Sequence, residues 1–189
     1  MNSIKLQFLH LQRCLLICLL LLCLLFIDKQ PAYASIDDDR YDGSIFVVYA
    51  GNGSLIPPRA TLAQALSEHK PALLAFYIDD SKDCKKYALI VSRVQEFYGK
   101  GVEIIPVSVD TIPTKTTYSP NEPGYYYSGR VPQVVVFNKL GKVVLNKKGQ
   151  VPFEDIDDKF REEFDLLPRS ESVELKRRSY NELNSELTE

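Results

Sequence analysis

Outside an N-terminal apolar stretch, the most reactive side chain in the 189-residue sequence is Cys84, and it stands alone. The other three cysteines, Cys14, Cys18 and Cys23, fall inside the unbroken apolar run from Cys14 to Ile27. Thiol–disulfide exchange needs an attacking thiolate and a second thiol to release the mixed disulfide. Three positions before Cys84 stands Ser81, an unactivated hydroxyl that stays protonated at neutral pH and cannot replace that thiolate. A helix start at Cys84, with Lys82, Lys85 and Lys86 nearby, would favour a thiolate, while Asp79, Asp80 and Asp83 push the other way. Three roles stay open for Cys84: a packed structural residue, a site of reversible modification or trapping, and a catalytic thiol.

Other chemistry is sparse. The two histidines are His10, in the apolar N-terminal region, and His69, at the end of a short amphipathic helix, so no His-based metal or nucleophile constellation can be assembled. Gly51-Asn-Gly53 has too few glycines for a phosphate loop and leads into prolines, and no cofactor is expected. The most suggestive surface is Pro123-Gly-Tyr125-Tyr126-Tyr127 beside Arg130. Adjacent tyrosines offer amphipathic area suited to a partner protein, or they pack down on the domain's own core.

These residues must be positioned by a folded part that begins after an export segment. The apolar run of fourteen is short for a membrane span, which needs about 20 residues, and matches the roughly 7–15 of a signal-peptide core. Ala32-Tyr33-Ala34 supplies small residues at a cleavage site, so 1–34 reads as a signal peptide or, if uncleaved, a transmembrane anchor. Lys5 and Arg13 keep the N-terminus cytoplasmic and put the domain across the membrane. Beyond residue 34 remain 20 basic and 24 acidic residues, a balance that argues against nucleic-acid binding. Residues 35–43, with Asp37, Asp38, Asp39, Arg40 and Asp42, read as a solvated linker; 44–167 is the globular domain, and 168–189 a charged tail, either frayed or a docking helix.

Within the domain, Ser44–Ala50 is β-branched and aromatic and predicts a buried strand. Thr61-x-x-Gln64 predicts a capped short helix, and Ala72–Ile78 a central strand covered on both faces. Cys84, Tyr87, Ala88, Val91, Val94 and Tyr98 recur at helical spacing up to Gly99. Val102–Val109 predicts a strand parallel to the preceding one, since a whole helix joins them. Gln133–Asn138 and Lys142–Asn146 flank a Gly-ended turn and predict a hairpin, followed by a helix from Phe153 to Leu167.

This order, β-α-β-α-β then β-β-α, resembles the thioredoxin fold, an α/β class with a central mixed sheet flanked by helices. Two local features carry the resemblance: Ser81-Lys-Asp-Cys84-Lys-Lys86 where that family has Cys-x-x-Cys, and Val131-Pro132 where it has a cis-proline facing the redox motif. The long connection from Thr111 to Gly129 departs from the pattern, standing where a helix is normal. At finer grain the chain resembles a cyanobacterial family of thylakoid membrane photosystem I accumulation factors. The resembling stretches are Asp38-Asp-Arg-Tyr-Asp-Gly43, Tyr49-Ala-Gly-Asn-Gly53, Glu122-Pro-Gly-Tyr-Tyr-Tyr127 and Leu167–Arg178. The resemblance implies a membrane-associated assembly factor on the lumenal side of the thylakoid, with photosystem I subunits or their assembly intermediates as partners. A single-cysteine redox protein or sensor acting through Cys84 is the alternative.

Overall fold

The computed structural model describes His10, residues 12–20, Leu22 and residues 34–172. It divides into two units, Met1–Tyr33 and Ala34–Glu189. In the first, residues 12–20 are helical and exposed. Among the described residues no helix is long and apolar enough to cross a membrane. The rest of the apolar run, Ala32 and Tyr33 of the expected cleavage site and most of the charged tail lie outside the described residues.

The second unit is built on a mixed four-stranded sheet of β1 (Ala72–Tyr77), β2 (Glu103–Ser108), β3 (Gln133–Phe137) and β4 (Val143–Lys148), in the order β2-β1-β3-β4. β1 runs parallel to β2 with Ala72 opposite Glu103, and antiparallel to β3 with Phe76 opposite Gln133. β1 and β3 are buried along their whole length, as continuous apolar runs covered on both faces require.

Among the described residues four α-helices accompany the sheet: α1 (Ile45–Val48), α2 (Leu62–Ser67), α3 (Lys82–Tyr98) and α4 (Phe153–Glu163). One face carries a core of α1, α3 and α4 side chains, including Phe46, Cys84, Val91 and Phe160. The other holds a smaller core around Leu62, Phe76, Val107 and Phe137, against α2 and the tyrosine loop. The parallel β1-α3-β2 unit followed by the β3-β4 hairpin and α4 is a thioredoxin-like arrangement without an outer first strand.

That missing strand corrects the expectation for Ser44–Ala50, which forms α1 instead. The Ile45 N–H donates to Asp79 Oδ1 at 3.0 Å, so a side chain 34 positions downstream satisfies the start of the helical turn. Ile45 and Phe46 are buried while Val47 and Val48 stay exposed, a pattern that two-residue alternation cannot produce. Around α2 the expected capping box is present: Gln64 N–H donates to Thr61 Oγ1 at 3.2 Å and Thr61 N–H to Gln64 Oε1 at 2.8 Å.

Candidate functional site

α3 starts at the C-terminal end of β1, and β3 begins beside that same end because Gln133 pairs with Phe76. Ser81–Cys84 and Pro132 are therefore brought to one end of the sheet. Val131-Pro132 is a cis peptide bond, as is Ile56-Pro57. Pro132 and α3 are tied through the segment after β4: Gly149 N–H donates to Pro132 O at 2.8 Å, and Gln150 Nε2 donates to Asp83 Oδ1 at 3.0 Å.

At the first of the two motif positions, Ser81 is the N-cap of α3, its hydroxyl oxygen accepting from Cys84 N–H at 3.3 Å. The oxygen that replaces a sulfur thus has a structural task of the kind serine does well. Cys84 is 1% exposed and packs in the larger core. Burial pushes its thiol above the ordinary cysteine range; contact with the Ile78 backbone and with Ser81 works against this, and Asp83 and Asp80 add to it. A thiol so placed stays protonated and inert, because the thiolate is the nucleophile.

Two of the three lysines expected to assist Cys84, Lys85 and Lys86, have their ammonium groups engaged elsewhere. Lys85 is fully buried, its ammonium donating to Ser35 O at 2.9 Å, Asp42 Oδ2 at 2.8 Å and Asp38 Oδ1 at 3.2 Å. Burial opposes its charge, but Asp42, Tyr49 and Asp38 outweigh it and hold its pKa above the usual lysine value. The Tyr49 ring lies under the ammonium, 5.1 Å to its centroid, and its hydroxyl hydrogen-bonds Asp42 and Ser35 O. Lys86 pairs with Asp37 at 2.8 Å, and the backbone N–H of Lys82 donates to Asp39 Oδ1 at 2.9 Å. Residues 35–42, expected as a solvated linker, thus form a strap of four aspartates bound across the first turn of α3. Their partners on α3 lie more than 40 positions away, which is why local composition hid them.

The tyrosine loop divides. Tyr126 packs edge-on against Phe137 with centroids 4.9 Å apart, and Tyr127 against Phe76 at 5.4 Å, so these two cover the smaller core. Tyr125 is 55% exposed and Arg130 is also exposed. Fully buried Gln133 fixes the loop: its Nε2 donates to Tyr126 O at 2.8 Å and Asn146 Oδ1 at 2.9 Å, and its Oε1 accepts from Ser128 N–H and Oγ–H at 2.9 Å. Gly124 lies where any Cβ would stand 2.4 Å from the Tyr118 ring, so only glycine allows that approach.

A second braced cluster, which sequence reasoning missed, joins α3 to the root of the tail. Tyr98 Oη donates to Asp157 Oδ1 at 2.5 Å and Arg161 Nε to Asp157 Oδ2 at 2.8 Å, while Arg161 Nη1 reaches Leu167 O and Ser172 Oγ, both at 2.7 Å. The only signal was the Asp157–Arg161 spacing on one helix face. Among the described residues no group of His, Cys, Asp and Glu is arranged to hold a metal ion.

No family model matches the chain. It is 59% identical over 162 residues to "Thylakoid membrane protein slr1796" of Synechocystis sp., a match covering 86% of this chain and 81% of that protein. The chain belongs to that protein's family. Among solved structures, "Structure of a malarial protein" matches with a TM-score of 0.40 and 14% identity, covering 50% of this chain and 97% of that one. A yeast mitochondrial 1-Cys peroxiredoxin matches with a TM-score of 0.40 and 13% identity over 53% of this chain and 85% of that one.

Proposed function

We propose that this family member is a thylakoid membrane protein whose thioredoxin-like domain, on the lumenal side, supports accumulation of photosystem I without catalysing dithiol exchange. The observation that carries the non-catalytic part is the pairing of a capping Ser81 oxygen with a buried, protonated Cys84. The thylakoid setting is supported by the relative's being a thylakoid membrane protein. The photosystem I role rests on the sequence resemblance alone. In this reading the domain offers partners an exposed rim, Tyr125 and Arg130 beside Val131-Pro132, held in place by Gln133.

Cells carrying Cys84→Ser in place of the native gene test the reading. Photosystem I should accumulate to the native level, whereas deletion of the gene should lower it. A collapse of photosystem I while the variant remains folded and abundant would refute the scaffold role. No change on deletion would refute the photosystem I assignment.

A further inference from the structure

Ser35, the first residue of the strap, is held to the domain by its carbonyl, its hydroxyl oxygen and its N–H. The carbonyl oxygen accepts from Lys85 Nζ at 2.9 Å and from Tyr49 Oη at 3.0 Å. The hydroxyl oxygen accepts from the Asp37 N–H at 3.3 Å, and the Ser35 N–H donates to Asp42 Oδ2 at 3.4 Å. Lys85 is fully buried and the Asp42 side chain is only 13% exposed, so Ser35 is tied to the inner side of the strap. Ala34, one position earlier, is exposed. Ala32-Tyr33-Ala34 also carries small residues at the two positions that a signal peptidase reads. The residue pattern before the Ala34–Ser35 bond and the hydrogen bonds after it converge on that one peptide bond.

The longest of these contacts is the one that cleavage would change. An amide N–H offers Asp42 a single neutral donor, and at 3.4 Å the bond is long for its type. A free N-terminus at the same place offers a charged ammonium, whose hydrogen bonds to a carboxylate are shorter and roughly twice as strong. The charges of the strap suit a further cation. Among the described residues, the cationic side chains in ion pairs with its aspartates are Arg40 with Asp38, Lys85 with Asp38 and Asp42, and Lys86 with Asp37. Asp39 is met by the backbone N–H of Lys82 instead. The groups facing the Ser35 nitrogen are Asp37 and Asp42 of the strap, Tyr49 at the end of α1 and Lys85 of α3. Lys85 is the like charge among them, and it is already held by two carboxylates.

We propose that Ala34–Ser35 is the bond cut on export and that the freed α-ammonium of Ser35 pairs with Asp42, seating the new N-terminus in the Lys85 cluster. The cut is a hydrolysis by a signal peptidase acting on the emerging chain. The amide C–N bond breaks, oxygen from water joins the Ala34 carbonyl carbon to give a carboxylate, and the Ser35 nitrogen takes up the protons to become the ammonium. Folding then closes the strap over α3 with the ammonium in place. The proposal rests on the export-segment reading and is independent of the photosystem I role; after cleavage, attachment to the membrane belongs to the domain itself.

The test expresses the full-length gene in a host that exports the product, and isolates the protein from those cells. N-terminal sequencing and intact mass should show a chain that begins at Ser35. Its α-amine is then acylated over a range of pH and the N-terminal peptide is quantified. At pH 7 the folded protein should label at least about threefold more slowly than the protein in urea, with a labelling midpoint above the ordinary α-amino range near 8. A second gene carries one added Gly between Ala34 and Ser35, which moves the amine about 3.8 Å along the chain and leaves every residue of the domain unchanged. That amine should label as it does in urea. The proposal fails if the isolated chain begins at Met1 or at any residue other than Ser35, or if the Ser35 amine labels equally fast folded and unfolded. It also fails if the added Gly keeps the slow labelling, the result that shielding without the Asp42 pair would give.

Discussion

The start of α3 and the loop leading into β3 meet at one end of the sheet, yet they are built in opposite ways. At the start of α3 three groups that could do chemistry are turned to holding the fold: Ser81 caps the helix, Cys84 fills the core, and Lys85 binds the strap. In the β3 approach, buried Gln133 and the inward Tyr126 and Tyr127 serve as a base from which Tyr125 and Arg130 project into solvent. The thioredoxin-like frame has kept its geometry at both places while its reactive position has become structural. A closed first region beside an open second one is what the proposed scaffold role requires.

Breaking the first region should have the largest effect. Lys85→Met leaves Asp38 and Asp42 without their buried partner and should lower the thermal midpoint on the order of 10 °C, read by calorimetry. It should also make residues 35–43 the first site of proteolysis. Acid should do the same gradually. Asp38 is held at about 2, chiefly by its bond to Arg40, and Asp42 is lowered by Lys85. Carboxyls depressed in the folded state stabilise it above their ordinary value near 4, and that contribution disappears as pH falls from about 4 toward 2. Urea midpoints should therefore be flat from pH 7 to 5 and drop below 4, less steeply in Asp38→Asn. In the second region, Gln133→Leu strands the partners of a buried amide and should cost about 1–3 kcal/mol in urea unfolding. The smallest effect on stability belongs to Tyr125→Ala, within about 0.5 kcal/mol, yet it should reduce co-purification with thylakoid complexes.

The same contrast explains what could be read from the chain alone. β1, α3, β2, the β3-β4 hairpin and the Thr61 capping box were legible because each is announced by local periodicity or turn chemistry. The cis Val131-Pro132 was legible only through resemblance. Ser44–Ala50 misled because its β-branched residues favour a strand locally, while the Asp79 carboxylate that starts the helix lies 34 residues away. The strap misled for the same reason: a run of aspartates looks solvated until a buried lysine more than 40 residues downstream supplies the partner. The division among the three tyrosines depended on Phe76 and Phe137 lying beneath two of them, which no spacing within the loop could reveal.

The central claim is that Cys84 is a packing residue, and alkylation of the native full-length protein followed by peptide mapping tests it most directly. Cys84 should be modified at least about 100-fold more slowly than in the unfolded chain, with its rate rising only as denaturant opens the domain. Rapid labelling of Cys84 at neutral pH in the folded protein, at or above the rate of a free thiol, would contradict the account.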